Sequence, residues 1–94
     1  MNTDQIKQIS IRALLAQSGI TPAKETERGG MYFSPLREER TASFYVNYVR
    51  NLWYDHGIGE GGSIIDLVMK MQNCNFVEAV RHLENRSGII SVSN

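Results

Sequence analysis

Few residues in this chain could do chemistry. Cys74 is the one cysteine, and His56 and His82 are the two histidines. A lone cysteine excludes an internal disulfide and any multi-cysteine zinc site, and these three scattered donors fall short of the four ligands that a structural zinc site takes. Glu38 and Glu39 adjoin arginines and read as a solvated turn. No nucleophile–base pair can be assembled from spacing, so catalysis has little to stand on. Gly59-Glu60-Gly61-Gly62-Ser63 ahead of a helix invites a phosphate reading. It lacks the Gly-Lys-Ser/Thr ending of a nucleotide loop, and Glu60 would repel phosphate. One mixture stands out: Tyr45, Tyr48, Trp53 and Tyr54 alternate with Arg37, Arg40 and Arg50. Aromatic faces for bases and cations for phosphates are what single-strand binding needs.

Those residues need elements to hold them. Ninety-four residues, 41% hydrophobic and 21% charged, make one ordinary globular domain. We place it at residues 1–90, with 91–94 as a loose tail. Thr3 or Asp4 can cap a first helix running to about Gln17, with Ile6, Ile9, Ala13 and Ala16 on one stripe. Gly19 ends it. Seven of the eight aromatics lie between Tyr32 and Tyr54. Phe44, Val46 and Tyr48 alternate with Tyr45 and Asn47, and Leu52 and Tyr54 with Trp53 and Asp55. The short link through Val49-Arg50-Asn51 makes these an antiparallel hairpin, and residues 30–33 could add a third strand. The glycines of 57–62 leave no regular element. Ser63 and Asp66 then form a capping box for a helix to about Met71, apolar almost all round and so central. A last helix, about Asn75 to Asn85, carries Phe76, Ala79, Val80 and Leu83 on one face and closes at Gly88. The fold class is α+β, a small antiparallel sheet packed against about three helices.

Two stretches carry a resemblance. One is Ser34-Pro35-Leu36-Arg37-Glu38-Glu39-Arg40-Thr41-Ala42-Ser43-Phe44. The other runs from Leu52-Trp53-Tyr54-Asp55-His56-Gly57-Ile58 through the glycines to Ile65-Asp66-Leu67-Val68-Met69. With Phe76-Val77-Glu78-Ala79-Val80, they resemble the amino-terminal zinc-binding (Cys-His-Cys-Cys) domain of bacterial DNA primases and related mobile-element proteins. The match covers roughly residues 30 to 85 and implies a zinc-ribbon-like hairpin core. The family's four metal positions fall on Ser34, Arg37, Asp55 and Ile58, and only Asp55 is a competent ligand, so the chain reads as a degenerate form with no metal and no other cofactor. His56, His82 and Cys74 do not fall on ligand positions. Arg37 and Asp55 stand where one metal would reach both, so an ion pair between them could replace it. The alternative, two solvated side chains, stays open.

The resemblance implies contact with single-stranded DNA beside a separate catalytic domain, in replication or transfer of a mobile element, with a primase or helicase domain as protein partner. The polymerising chemistry belongs to that other domain, so no enzymatic activity is expected here. Ten basic and ten acidic residues balance, so any basic patch must be local. The second reading is a protein-interaction domain that lost DNA contact along with the metal. Nothing at the amino terminus reads as a signal peptide, and no apolar run is long enough to span a bilayer. The expected setting is therefore cytoplasmic, with no membrane partner.

Overall fold

The computed structural model describes residues 2–36 and 42–87. The segment 37–41, the Gly88 helix stop and the tail 91–94 fall outside the described residues. Helix α1 spans Thr3–Ile6 and α2 spans Ile11–Gln17. Five strands follow, β1 Lys24–Glu25, β2 Gly29–Tyr32, β3 Phe44–Asn47, β4 Leu52–Asp55 and β5 Glu60–Gly62. Two helices close the described chain, α3 Ile64–Gln72 and α4 Phe76–Ser87. The strands form one antiparallel meander in the order β1-β2-β3-β4-β5. The α+β class holds, with four helices against one sheet. None of the described helices is long and apolar enough to cross a membrane.

The expected single first helix is two. Its start is capped by Asn2, not Thr3 or Asp4: Asn2 Oδ1 accepts from the Gln5 N–H at 2.8 Å, and Gln5 Oε1 accepts from the Asn2 N–H at 3.0 Å. Ser10 then leaves the helical region (φ −67°, ψ 122°) and caps α2 by accepting from the Ala13 N–H at 3.0 Å. A break frees backbone groups that need partners. Asn51, in the β3–β4 turn, supplies them. Its Nδ2 donates to the carbonyls of Lys7 and Ile9 at 2.8 and 2.7 Å, and its Oδ1 accepts from the Ile11 N–H at 2.9 Å. Helix α2 ends as expected around Gly19, in a Schellman motif: Gly19 N–H donates to Ala16 and Ile20 N–H to Leu15.

The hairpin forms in the register that alternation implies, pairing Phe44 with Asp55, Tyr45 with Tyr54, Val46 with Trp53 and Asn47 with Leu52. Phe44, Val46, Trp53 and Asp55 face inward and are buried. The Phe44 and Trp53 rings stack at 5.3 Å, and Trp53 Nε1–H donates to the Ser63 carbonyl at 2.8 Å. Helix α3 is the central one, burying Ile64, Ile65, Leu67 and Val68. Asp66 holds its start, accepting from the Ser63 N–H at 2.8 Å and the Ser63 hydroxyl at 3.1 Å. Helix α4 is capped by the reciprocal pair Asn75 and Glu78 and buries Ala79 and Leu83.

Another expectation fails: the glycine-rich stretch is not irregular throughout. Glu60–Gly62 pairs with β4 as a fifth strand. Glycine is required there by close approach rather than by turn geometry. A Cβ on Gly61 would clash with the Trp53 carbonyl oxygen and come within 2.9 Å of the Tyr54 ring.

Candidate nucleic-acid interface

Helix α3 packs on β4 and β5 from the side that Trp53 faces, and the strand register builds a row across the outer one. Lys24 pairs with Met31, Met31 with Tyr45, Tyr45 with Tyr54, and Tyr54 with Gly61, one residue from each of the five strands. Because alternate residues share a face, this is a single outward-facing line. A second, shorter row joins Gly29, Asn47 and Leu52. Tyr54 and Leu52 are 43% and 40% exposed.

The two tyrosines lie down rather than stand up. The Tyr45 ring extends over Gly29, where a Cβ would collide with its hydroxyl, and the Tyr54 ring lies beside Gly61. His56 meets Tyr54 edge-on, with centroids 4.8 Å apart. Arg28 and Arg50 are exposed and line one hollow with Tyr45, Asn47 and Val49. The result is a flat aromatic strip with cations at its margin, a surface on which bases can stack while phosphates reach arginine or lysine.

Of the four aromatics chosen from sequence, Tyr45 and Tyr54 are on this face and Tyr48 and Trp53 are not. Strand alternation sends Trp53 into the core, where it is 2% exposed. Tyr48 points inward and is held on several sides. Its hydroxyl donates to Glu25 Oε2 at 2.7 Å and lies 2.7 Å from the Tyr32 hydroxyl. Arg12 pairs with the same Glu25 oxygen at 3.1 Å and sits over the Tyr48 ring at 4.7 Å. Burial, then the bonds to Tyr32 and Glu25, push the Tyr48 phenol well above its ordinary range. Arg50 is exposed at the hairpin turn, while Arg37 and Arg40 lie outside the described residues. Lys24, Arg28, Met31, Asn47, Leu52 and His56 complete the face. Lys24 and Met31 were missed because β1 and β2 join the sheet only through its register, and Asn47, Leu52 and His56 because only aromatics and arginines were sought.

At the other end of the sheet lie Ser34, Asp55 and Ile58. Ser34 is buried, and its Oγ accepts from the Leu36 N–H at 3.1 Å. Asp55 is fully buried, and its Oδ1 accepts from the Gly57 N–H at 2.8 Å. Ile58 is 41% exposed. The expected pair between Arg37 and Asp55 falls outside the described residues. The start of α3 offers phosphate little, since the Asp66 carboxylate already accepts from Ser63 there.

The CHC2 zinc-finger family profile matches residues 3–94 of the chain. The chain belongs to this family. Among curated relatives, a DNA primase of Clostridium acetobutylicum is 38% identical over 66 residues, covering 70% of this chain and 11% of the primase. A Helicobacter pylori DNA primase is 44% identical over 55 residues, covering 58% of this chain and 10% of the primase. The chain thus spans about a tenth of their length. The crystal structure of the Aquifex aeolicus primase (zinc-binding and RNA polymerase domains) superposes with a TM-score of 0.71 at 23% identity. It covers 94% of this chain and 22% of that one, which establishes the shared fold.

A CHC2 zinc finger implies a zinc ion, and the residues described here do not fit one. Ile58 carries no donor atom, the Ser34 hydroxyl is a poor zinc ligand, and one carboxylate cannot hold a tetrahedral site. Among the described residues, no three His, Cys, Asp or Glu side chains gather to supply another. His56 is against Tyr54, Cys74 follows α3 with its Sγ 3.9 Å from the Val68 carbonyl, and His82 is on α4.

Proposed function

We propose that this chain is a non-catalytic DNA-binding module that contacts single-stranded DNA through the outer face of its sheet. It works without a bound metal, in the cytoplasm, in replication or in transfer of a mobile element, beside a primase or helicase domain. Any polymerising chemistry belongs to a separate domain. The observation that carries the reading is the row from Lys24 through Tyr45 and Tyr54. Two tyrosines on adjacent strands lie flat over glycine backbone, with Arg28 and Arg50 alongside. Stacking on aromatic faces is indifferent to base identity, which suits a non-specific single-strand contact. The nil net charge limits affinity and makes binding depend on these few local cations.

The test is fluorescence anisotropy of labelled single-stranded oligonucleotides at low and moderate salt, against duplex of the same sequence. Binding to the single strand that weakens with salt, and is reduced by Tyr54→Ala, supports the reading. No binding at low salt removes it for this chain and leaves a protein-interaction domain as the function.

A further inference from the structure

We infer that the two loops a zinc ion would tie together are built to close themselves, each by a side-chain oxygen standing at a ligand position. The inference rests on the metal-free reading above and says what replaces the ion. A metal orders such a loop by drawing its ligand side chains toward a common centre, and in small zinc domains that binding energy is folding energy. Here the side chains at two of those positions are drawn instead to their own backbone. Ser34 Oγ accepts from the N–H two residues on, at Leu36, and Asp55 Oδ1 accepts from the N–H two residues on, at Gly57. Both are the side-chain-closed turns that serine and aspartate form through a short oxygen acceptor.

Both oxygens sit on buried residues, where a lost acceptor is costly. The second loop is fastened twice more. The Gly59 N–H donates to the Asp55 carbonyl at 2.8 Å, and the His56 N–H donates to the Ser43 carbonyl at 2.9 Å, tying the loop to the approach of β3. Leu36, two residues past Ser34, and Ile58, at the fourth ligand position, line one open hollow with Met69, Lys70, Asn73 and Cys74. Leu36, Met69 and Cys74 also pack against the core. Among the described residues, two local turns stand where an ion would order the loops. It follows that positions 34 and 55 need a short oxygen acceptor, not merely a small side chain.

The experiment is thermal unfolding of the whole chain purified in chelator, with and without added Zn²⁺. It compares the wild type with Ser34→Ala, Asp55→Ala and Asp55→Asn. The wild-type midpoint is expected to be the same in chelator and in zinc. Each alanine variant is expected to unfold about 5–15 °C lower. Asp55→Asn keeps the Oδ1 acceptor and is expected to lose less than half as much as Asp55→Ala. A wild-type midpoint that rises with zinc overturns the metal-free reading itself. A metal-insensitive wild type with Asn as damaging as Ala at position 55, or with a neutral Ser34→Ala, overturns the self-closing loops alone. Should Asp55→Ala fail to fold, Asp55→Asn decides: a near-wild-type midpoint supports the inference, and a second unfolded variant defeats it.

Discussion

Tyr45 on β3 and Tyr54 on β4 stand directly opposite one another on the outer face of the sheet. Directly opposed residues have Cβ atoms roughly 4.5–5.5 Å apart, and from there the Tyr45 ring leans over Gly29 on β2 and the Tyr54 ring toward Gly61 on β5, which offers separate places for two bases. If the strand stacks there, Tyr45→Ala and Tyr54→Ala should each weaken single-strand binding by about 1–3 kcal/mol, read as the shift in an anisotropy titration. Trp53, one residue away but in the core, gives the contrast. Its emission should hold nearly constant through the same titration, because its face is covered by Phe44 and its N–H is engaged by Ser63. Strong quenching of Trp53 on binding would mean that the strand disturbs the core instead of lying on the outer face.

Arg28 and Arg50 flank the same strip beside Asn47 and Tyr45. A cation that neutralises a phosphate releases counterions, and each such contact on a single strand contributes about −0.7 to the slope of log K against log salt. Arg28→Ala and Arg50→Ala should therefore each flatten that slope by roughly this amount and weaken all oligonucleotide sequences alike. Titrations at several salt concentrations check it. Arg86 makes the control, since it lies at the end of α4 and bonds to Gln17 on α2; Arg86→Ala should leave the slope unchanged.

Asn51 joins the hairpin turn to the α1–α2 junction by three hydrogen bonds, one accepted and two donated. Its backbone is also left-handed, at φ 56°, a conformation that asparagine tolerates better than most residues. Asn51→Ala should lose all three bonds and take on backbone strain, costing about 2–4 kcal/mol in urea or thermal unfolding. Asn51→Gly relieves the strain and should recover only part of that. Asn51→Asp keeps the acceptor for the Ile11 N–H but sets a carboxylate against two carbonyls, and should be no better than alanine.

Much of this architecture was legible in the sequence, and the misses share a cause. Alternation over 44–48 and 52–55 marked the hairpin; its register is held because one face is buried, and a one-residue slip would expose Trp53 and Phe44. The Ser63 and Asp66 pair marked the start of α3 through a contact three residues long. The break at Ser10 was hidden because the partner that makes it tolerable, Asn51, is 40 residues from the Ile11 N–H it accepts from. Strand β5 was hidden because its glycines read as disorder of structure until Tyr54 is seen lying on Gly61. The binding face was half legible for the same reason. Tyr45, Tyr48, Trp53 and Tyr54 read as one set in the sequence although alternation turns Trp53 into the core, and nothing local announced that Lys24 and Met31 would join the row.

Tyr48 supplies a pH test of the inner network. Its phenol is raised above the ordinary value near 10 by burial and by its bonds to Tyr32 and Glu25. For a group whose folded pKa lies above its unfolded one, the unfolded chain releases the proton first as pH rises. Stability is then fully present below about pH 10 and declines above it, because the unfolded state binds roughly one proton fewer than the folded state. Tyr48→Phe removes that difference along with the bond to Glu25. The variant should be less stable than the wild type at neutral pH, and the gap should narrow as pH climbs past 10. Urea unfolding at pH 7, 9, 10.5 and 11.5 for the two proteins measures it. A gap that stays constant across that range would mean the Tyr48 hydroxyl is not held as a donor by Glu25, and that Arg12 alone balances the carboxylate.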